Sequence, residues 1–100
     1  FSAATMLISA LKGQDNMTIV GEESGGGYYG NSALHIPNIT LPNTKLRVRL
    51  PLYRMVIDQN RPKGTGIIPD IKIPPSSYAI RMGFDSKMAA IQALLKSKNN

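Results

Sequence analysis

Apolar residues at positions 3, 6, 7, 10 and 11 fall on one face of a helical wheel, and this spacing predicts a helix over residues 2–12. Ser2 is a good N-cap type for it and Gly13 a good C′ residue. A polar turn, GQDN, then leads into MTIV at residues 17–20, which reads as a short buried strand. Helix, tight turn and apolar strand in succession are an α/β signature. Residues 21–31, GEESGGGYYGN, carry no period and read as loop. Strand character returns over residues 33–41, and the chain turns at LPNT, with Pro42 and Asn43 as punctuators. Residues 45–50 alternate cleanly, with Leu46, Val48 and Leu50 facing one way and Lys45, Arg47 and Arg49 the other. That is the pattern of a half-buried strand, and with Ile39 and Leu41 it predicts a hairpin across LPNT. Pro51 suggests an edge or a bulge, and residues 52–58 continue as strand. Residues 59–65 are loop, and residues 66–75 are extended with Pro69 against a regular strand. Asp85 caps a final amphipathic helix over residues 86–96, whose apolar face holds Met88, Ile91, Leu94 and Leu95. The tail KSKNN is expected to fray.

Length changes how this pattern is read. One hundred residues make at most one domain with a thin core. With no initiator Met ahead of Phe1, the chain reads as part of a larger domain, and some apolar surface is expected to lie against a part not present. The net charge of +6 raises nucleic-acid binding. The basic residues are spread out, however, and only Lys45, Arg47 and Arg49 are dense, so a solvated strand face is expected and no nucleic-acid partner. The absence of Cys excludes disulfides and thiolate metal sites. No His, Asp or Glu cluster has metal-ligand spacing, and no cofactor is expected. No apolar run is long enough to span a membrane.

Four features carry candidate chemistry. Gly25, Gly27 and Gly30 spell G-x-G-x-x-G after a β-branched run, but a dinucleotide site needs a helix opening straight after the loop. The following NSALHIPNITLPN has no helical period, so the glycines are read as allowing a sharp turn or a close backbone approach. Ser2 has two readings. It can cap the helix, or it can act as a nucleophile beside free N–H groups and the positive end of the helix dipole. His35 is the lone histidine and lies in a strand-like stretch, where packing or surface is the expected role. Glu22 and Glu23 abut the glycine loop, but neighbours on an extended chain point to opposite sides and need not share a site.

SAA at residues 2–4, GEESGGG at residues 21–27 and GIIPDI at residues 66–71, taken in that order, resemble the C-terminal half of the peptidase domain of the tail-specific, or C-terminal-processing, serine peptidases. The resemblance runs from Phe1 to about Leu95. It implies an incomplete α/β fold of the crotonase and Clp-protease type, a polypeptide substrate and no cofactor. It implies a location in the bacterial periplasm or cell envelope, or secretion, and leaves homo-oligomerisation open. By this resemblance Ser2 matches the nucleophile, and the backbone N–H of Ala3 one oxyanion donor. Glu22, Gly25, Gly26 and Gly27 match the active-site loop. Many relatives carry the lysine base in that loop, and Gly27 stands in its place. The chain looks more like the branch whose base, a histidine, comes from outside these residues, with Asp58 a candidate for its supporting carboxylate. Tyr28 and Tyr29 are expected to pack or to face substrate. A non-catalytic peptide-binding relative is the alternative.

Overall fold

The computed structural model describes residues 1–98. In chain order its elements are α1 (Ser2–Leu11), β1 (Val20–Gly21), β2 (Gly30–Asn31), β3 (Asn38–Thr40), β4 (Arg47–Arg49), β5 (Met55–Val56), β6 (Ile71–Lys72), α2 (Ser77–Arg81) and α3 (Ser86–Lys98). Among the described residues this is a mixed α/β chain with three small two-stranded sheets. It forms two units, one from Phe1–Ala10 and Ser24–Ile67, the other from Leu11–Glu23 and the chain from Ile68 onward.

In the first unit, α1 opens with the Phe1 carbonyl accepting from both the Thr5 N–H and the Thr5 hydroxyl, each at 3.0 Å. Phe1 therefore holds the N-cap position and Ser2 the first helical one, which corrects the reading of Ser2 as the cap. The helix also buries an unexpected stripe: Thr5 and Ser9 are buried, whereas Met6 and Leu7 are exposed. The reason is steric. The glycine loop approaches the helix so closely at Thr5 that a large side chain on that face would not fit.

The predicted hairpin forms across LPNT. β3 and β4 run antiparallel with Ile39 opposite Val48, and the turn is closed by Leu41 N–H to Leu46 O at 2.9 Å and Lys45 N–H to Leu41 O at 3.0 Å. Lys45 takes a left-handed conformation, φ 59°, in that turn. Pairing continues past Pro51 through Leu52 N–H to His35 O at 3.2 Å. The half-buried expectation for β4 is not met, because Arg47, Val48 and Arg49 are all exposed. A two-stranded sheet buries a face only where another layer covers it. The strand expected over residues 52–58 shrinks to β5, because β2 offers it only two residues to pair with, Gly30 opposite Val56 and Asn31 opposite Met55.

In the second unit, the expected buried strand over residues 17–20 contracts to β1, which is not fully apolar-packed and pairs in parallel with β6. The ladder starts only at the Ile19 carbonyl, which accepts from Asp70 N–H at 2.8 Å and Ile71 N–H at 3.1 Å. Gly13 follows α1 with φ +92°, the C′ role expected of it. α2 was not foreseen in the pattern; Ser76 caps it, accepting from the Ala79 N–H at 3.2 Å. Asp85 caps α3, its Oδ1 accepting from the N–H groups of Lys87 and Met88 at 3.0 Å each. α3 lies beside β1 and runs to Lys98, so part of the tail expected to fray is helical, and the last two residues lie outside the described ones.

Among the described residues, buried apolar side chains are Tyr28 and Ile67 in the first unit and Pro69 and Ala79 in the second. Among the described residues no helix is long and apolar enough to cross a membrane.

Candidate active site

Ser2 stands half-buried in the first turn of α1. Thr5 is the first residue whose N–H finds an acceptor along the helix, so the amides of Ser2, Ala3 and Ala4 remain outside the ladder. The partial positive charge of the helix start adds to them. A hydroxyl whose neighbour offers an unladdered N–H is a suitable place to build up an oxyanion.

The glycine loop packs on this turn. A Cβ built on Gly25 would lie 2.9 Å from the Phe1 ring, and one on Gly26 would lie 2.3 Å from Thr5 Oγ1 and 3.3 Å from the Phe1 carbonyl. Phe1 and Thr5 flank Ser2 in sequence and on the helix, so the loop forms a wall beside the serine's turn. No helix follows the loop; β2 does. This leaves the dinucleotide pattern without the helix start it requires. Gly27 has a limit of its own: a Cβ there would sit 2.6 Å from the Gly30 carbonyl oxygen. The loop as folded has no room for a side chain at this position, let alone a lysine.

Both ends of the loop are tied to one segment. Ser24 N–H donates to Ile67 O at 3.0 Å, and Ile67 N–H donates to Ser24 Oγ at 2.8 Å, which in turn donates to Gly26 O at 3.0 Å. At the other end, Tyr28 N–H donates to Thr65 O at 2.9 Å. Tyr28 is buried, and the Arg61 guanidinium donates to its hydroxyl while lying 4.4 Å from its ring centroid. Of the two tyrosines, Tyr28 is thus a packing residue; Tyr29 is half-buried with Arg54 and Lys63 over its ring.

Asp58 is committed to its own loop. Its Oδ2 accepts from Arg61 Nε at 2.9 Å and its Oδ1 from Asn60 N–H at 2.9 Å. His35 lies exposed on the hairpin against Tyr53, ring centroids 6.0 Å apart. The structure therefore does not bring Asp58 and His35 together. Glu22 belongs to the second unit, where Lys87 at the start of α3 ion-pairs its carboxylate. Among the described residues no group of three or more His, Cys, Asp or Glu is placed to hold a metal ion.

The family model of peptidase family S41 matches residues 1–73. The chain belongs to that family. The S41 match takes in α1 with Ser2, the glycine loop and GIIPDI, and it ends before α2 and α3. Membership supports a peptidase function with polypeptide as the substrate. Neither a curated protein nor a solved structure matches the chain.

The structure also gives GIIPDI, which lies within the matched residues, a physical meaning. Gly66 is buried, and a Cβ on it would lie 1.9 Å from the Ser24 carbonyl oxygen, so the motif's first residue lets the strand-like segment press against the glycine loop. Ile67 is 1 % exposed and is the most completely buried large side chain. In the second unit, Asp70 accepts from Lys12 Nζ at 2.7 Å and from Ile19 N–H at 2.8 Å. The Lys12 ammonium, and then the Ile19 N–H, hold its carboxyl below the ordinary 3.8. Sequence reasoning missed Arg61, Ser24 and Thr5 as parts of the site. Arg61 carried no signal beyond its place in a loop with Pro62 and Gly64.

Proposed function

We propose that the chain is the nucleophile-bearing part of a tail-specific serine peptidase with a crotonase-like peptidase domain. Ser2 Oγ attacks the scissile carbonyl carbon while its proton passes to a base outside the described residues. The carbonyl oxygen takes up negative charge, and the Ala3 N–H stabilises it. Collapse expels the amine half of the substrate, whose nitrogen takes the proton back from the base, and leaves an ester on Ser2. Water, deprotonated by the same base, then releases the acid half and restores the serine. One observation carries this reading. A serine within the matched residues stands in the first turn of a helix, followed by an amide outside the hydrogen-bond ladder, which supports the reading.

The exposed apolar residues of α1 and of the hairpin, such as Leu7 and Leu46 at 63 % each, fit a chain that packs against further parts of one peptidase domain. Such a domain would act in the cell envelope or be secreted, and these 100 residues by themselves would be inactive. The substrate would bind as an extended strand, since edge addition gives main-chain affinity with little sequence demand.

The test is hydrolysis of an unfolded polypeptide by the full-length protein and by its Ser2→Ala variant. The variant is expected to lose turnover by a factor on the order of a thousand or more. Equal turnover in the two would sink the assignment. The bare, filled position at Gly27 favours one second reading, a peptide-binding relative without catalysis. On that reading neither protein cleaves, and both bind the polypeptide equally.

A further inference from the structure

We propose that Tyr28 and Arg61 are positioning residues: they clamp the glycine loop against the turn that carries Ser2, and so set the serine's reactivity. The proposal rests on the reading of Ser2 as nucleophile.

The observations form one mechanical chain within the first unit. Asp58 Oδ2 fixes Arg61 through Nε at 2.9 Å. Arg61 reaches Tyr28 twice, by a hydrogen bond to the phenol oxygen and by stacking its charge 4.4 Å from the ring centroid. Tyr28 is 7 % exposed, so the phenol end of these contacts is buried, while the Arg61 side chain stays about a third exposed. Tyr28 then fixes the C-terminal end of the loop, as Ser24 fixes the other end through Ile67. Between the two anchors, Gly25 and Gly26 meet Phe1 and Thr5 at distances that leave no slack. Phe1 O is also the acceptor that starts α1. A loop held this way braces the first turn of the helix from outside, and glycine's own flexibility is removed by its two anchors. Three glycines in a row would otherwise be a poor wall. A nucleophile misplaced by a fraction of an ångström to one ångström loses up to a hundredfold in rate, so a brace of this kind has kinetic leverage without touching substrate.

The clamp acts on the serine rather than on substrate binding, and that separates it from a general packing role. The experiment uses the full-length protein, with labelling of Ser2 by a small dialkyl fluorophosphate and steady-state cleavage of an unfolded polypeptide. Arg61→Ala and Tyr28→Phe are each expected to slow labelling and lower kcat by about tenfold, with KM within about twofold of the parent. Tyr28→Phe keeps the ring and removes only the acceptor, so it carries the test even if Arg61→Ala folds poorly. Arg61→Lys, which keeps the charge beside Asp58 and over the ring, is expected to recover most of the labelling rate. Arg54→Ala, which removes the cation over the Tyr29 ring and not the one over Tyr28, is expected to leave all three quantities unchanged. The proposal is overturned if Tyr28→Phe labels at the parent rate. It is also overturned if the loss appears as a rise in KM with kcat unchanged, or if Arg61→Lys behaves like Arg61→Ala. If Ser2→Ala still takes up the label at the parent rate, the nucleophile reading itself has failed. If Ser2→Ala abolishes labelling and the clamp variants do not slow it, only the clamp has.

Discussion

Gly66→Ala is expected to be among the most damaging single methyl additions in the first unit. The new Cβ would lie 1.9 Å from the Ser24 carbonyl oxygen, far inside the 3.0 Å that real Cβ contacts respect, and 2.9 Å from its carbonyl carbon, just inside it. The obstacle is backbone, and it cannot swing aside. Ser24 is held to Ile67 by two hydrogen bonds, of 3.0 and 2.8 Å, and Ile67 is the best-buried large side chain. Relief therefore means separating the segments. Overpacking of this kind costs about 1–3 kcal/mol, and losing the two bonds adds about 1 kcal/mol each. The expected loss is about 3–5 kcal/mol, a large fraction of a domain's stability of roughly 5–15 kcal/mol. Gly64→Ala is the control. Its backbone is left-handed, φ +81°, with nothing within 4 Å, so only strain of about 1–2 kcal/mol is expected. Urea unfolding of the full-length protein, followed for both variants at unchanged m, measures the difference. If Gly66→Ala costs no more than Gly64→Ala, the close approach of GIIPDI to the glycine loop is not a feature of the folded protein.

Asp85→Ala removes the acceptor for two N–H groups at the start of α3 and is expected to cost about 1 kcal/mol, seen as a lower unfolding midpoint that Asp85→Asn largely restores. The lowered pKa of Asp70 means that its contribution to stability is present above its unfolded value of 3.8 and is lost as pH falls through the lower folded value. Unfolding midpoints of the parent and of Asp70→Asn are therefore expected to converge as the pH is taken below about 4; curves that stay parallel from pH 7 to pH 2 would contradict the Lys12 pairing. Gly27→Lys is not expected to supply a base, because its Cβ would meet the Gly30 carbonyl at 2.6 Å; a gain in polypeptide cleavage at alkaline pH would show that the loop rearranges freely.

What the chain reveals locally, it reveals well. The hairpin was legible because LPNT supplies turn chemistry between two alternating runs, and Asp85 was legible because a cap acts on residues two and three positions away. The glycine loop was correctly read as no helix start, since β-type residues and Pro37 follow it. Long-range packing was not legible. Periodicity marked the apolar side of α1 but not which side meets a neighbour; at Thr5 the neighbour is glycine backbone, which leaves no room for a larger side chain. The strands at residues 17–20 and 52–58 were overextended for a similar reason, because strand length is set by the partner's length as well as by the strand's own pattern. α2 is short, and its one signal, Ser76 after Pro74 and Pro75, was present but unused. Within the candidate site, Ser2 was legible as a cap or a nucleophile at a helix start and the glycines as a close backbone approach, while the oxyanion role of Ala3 and the active-site role of the loop came from resemblance. Arg61 and Ser24 are found only through contacts across more than thirty residues.

The central claim is that Ser2 is the reacting serine, and mass spectrometry of the fluorophosphonate-treated full-length protein tests it most directly. One adduct per chain is expected, on the tryptic peptide that contains Ser2 and ends at Lys12, with fragment ions placing the added mass on Ser2 rather than Ser9. An adduct on Ser9, Ser24 or Ser32, or none at all on a folded protein that cleaves polypeptide, would contradict it.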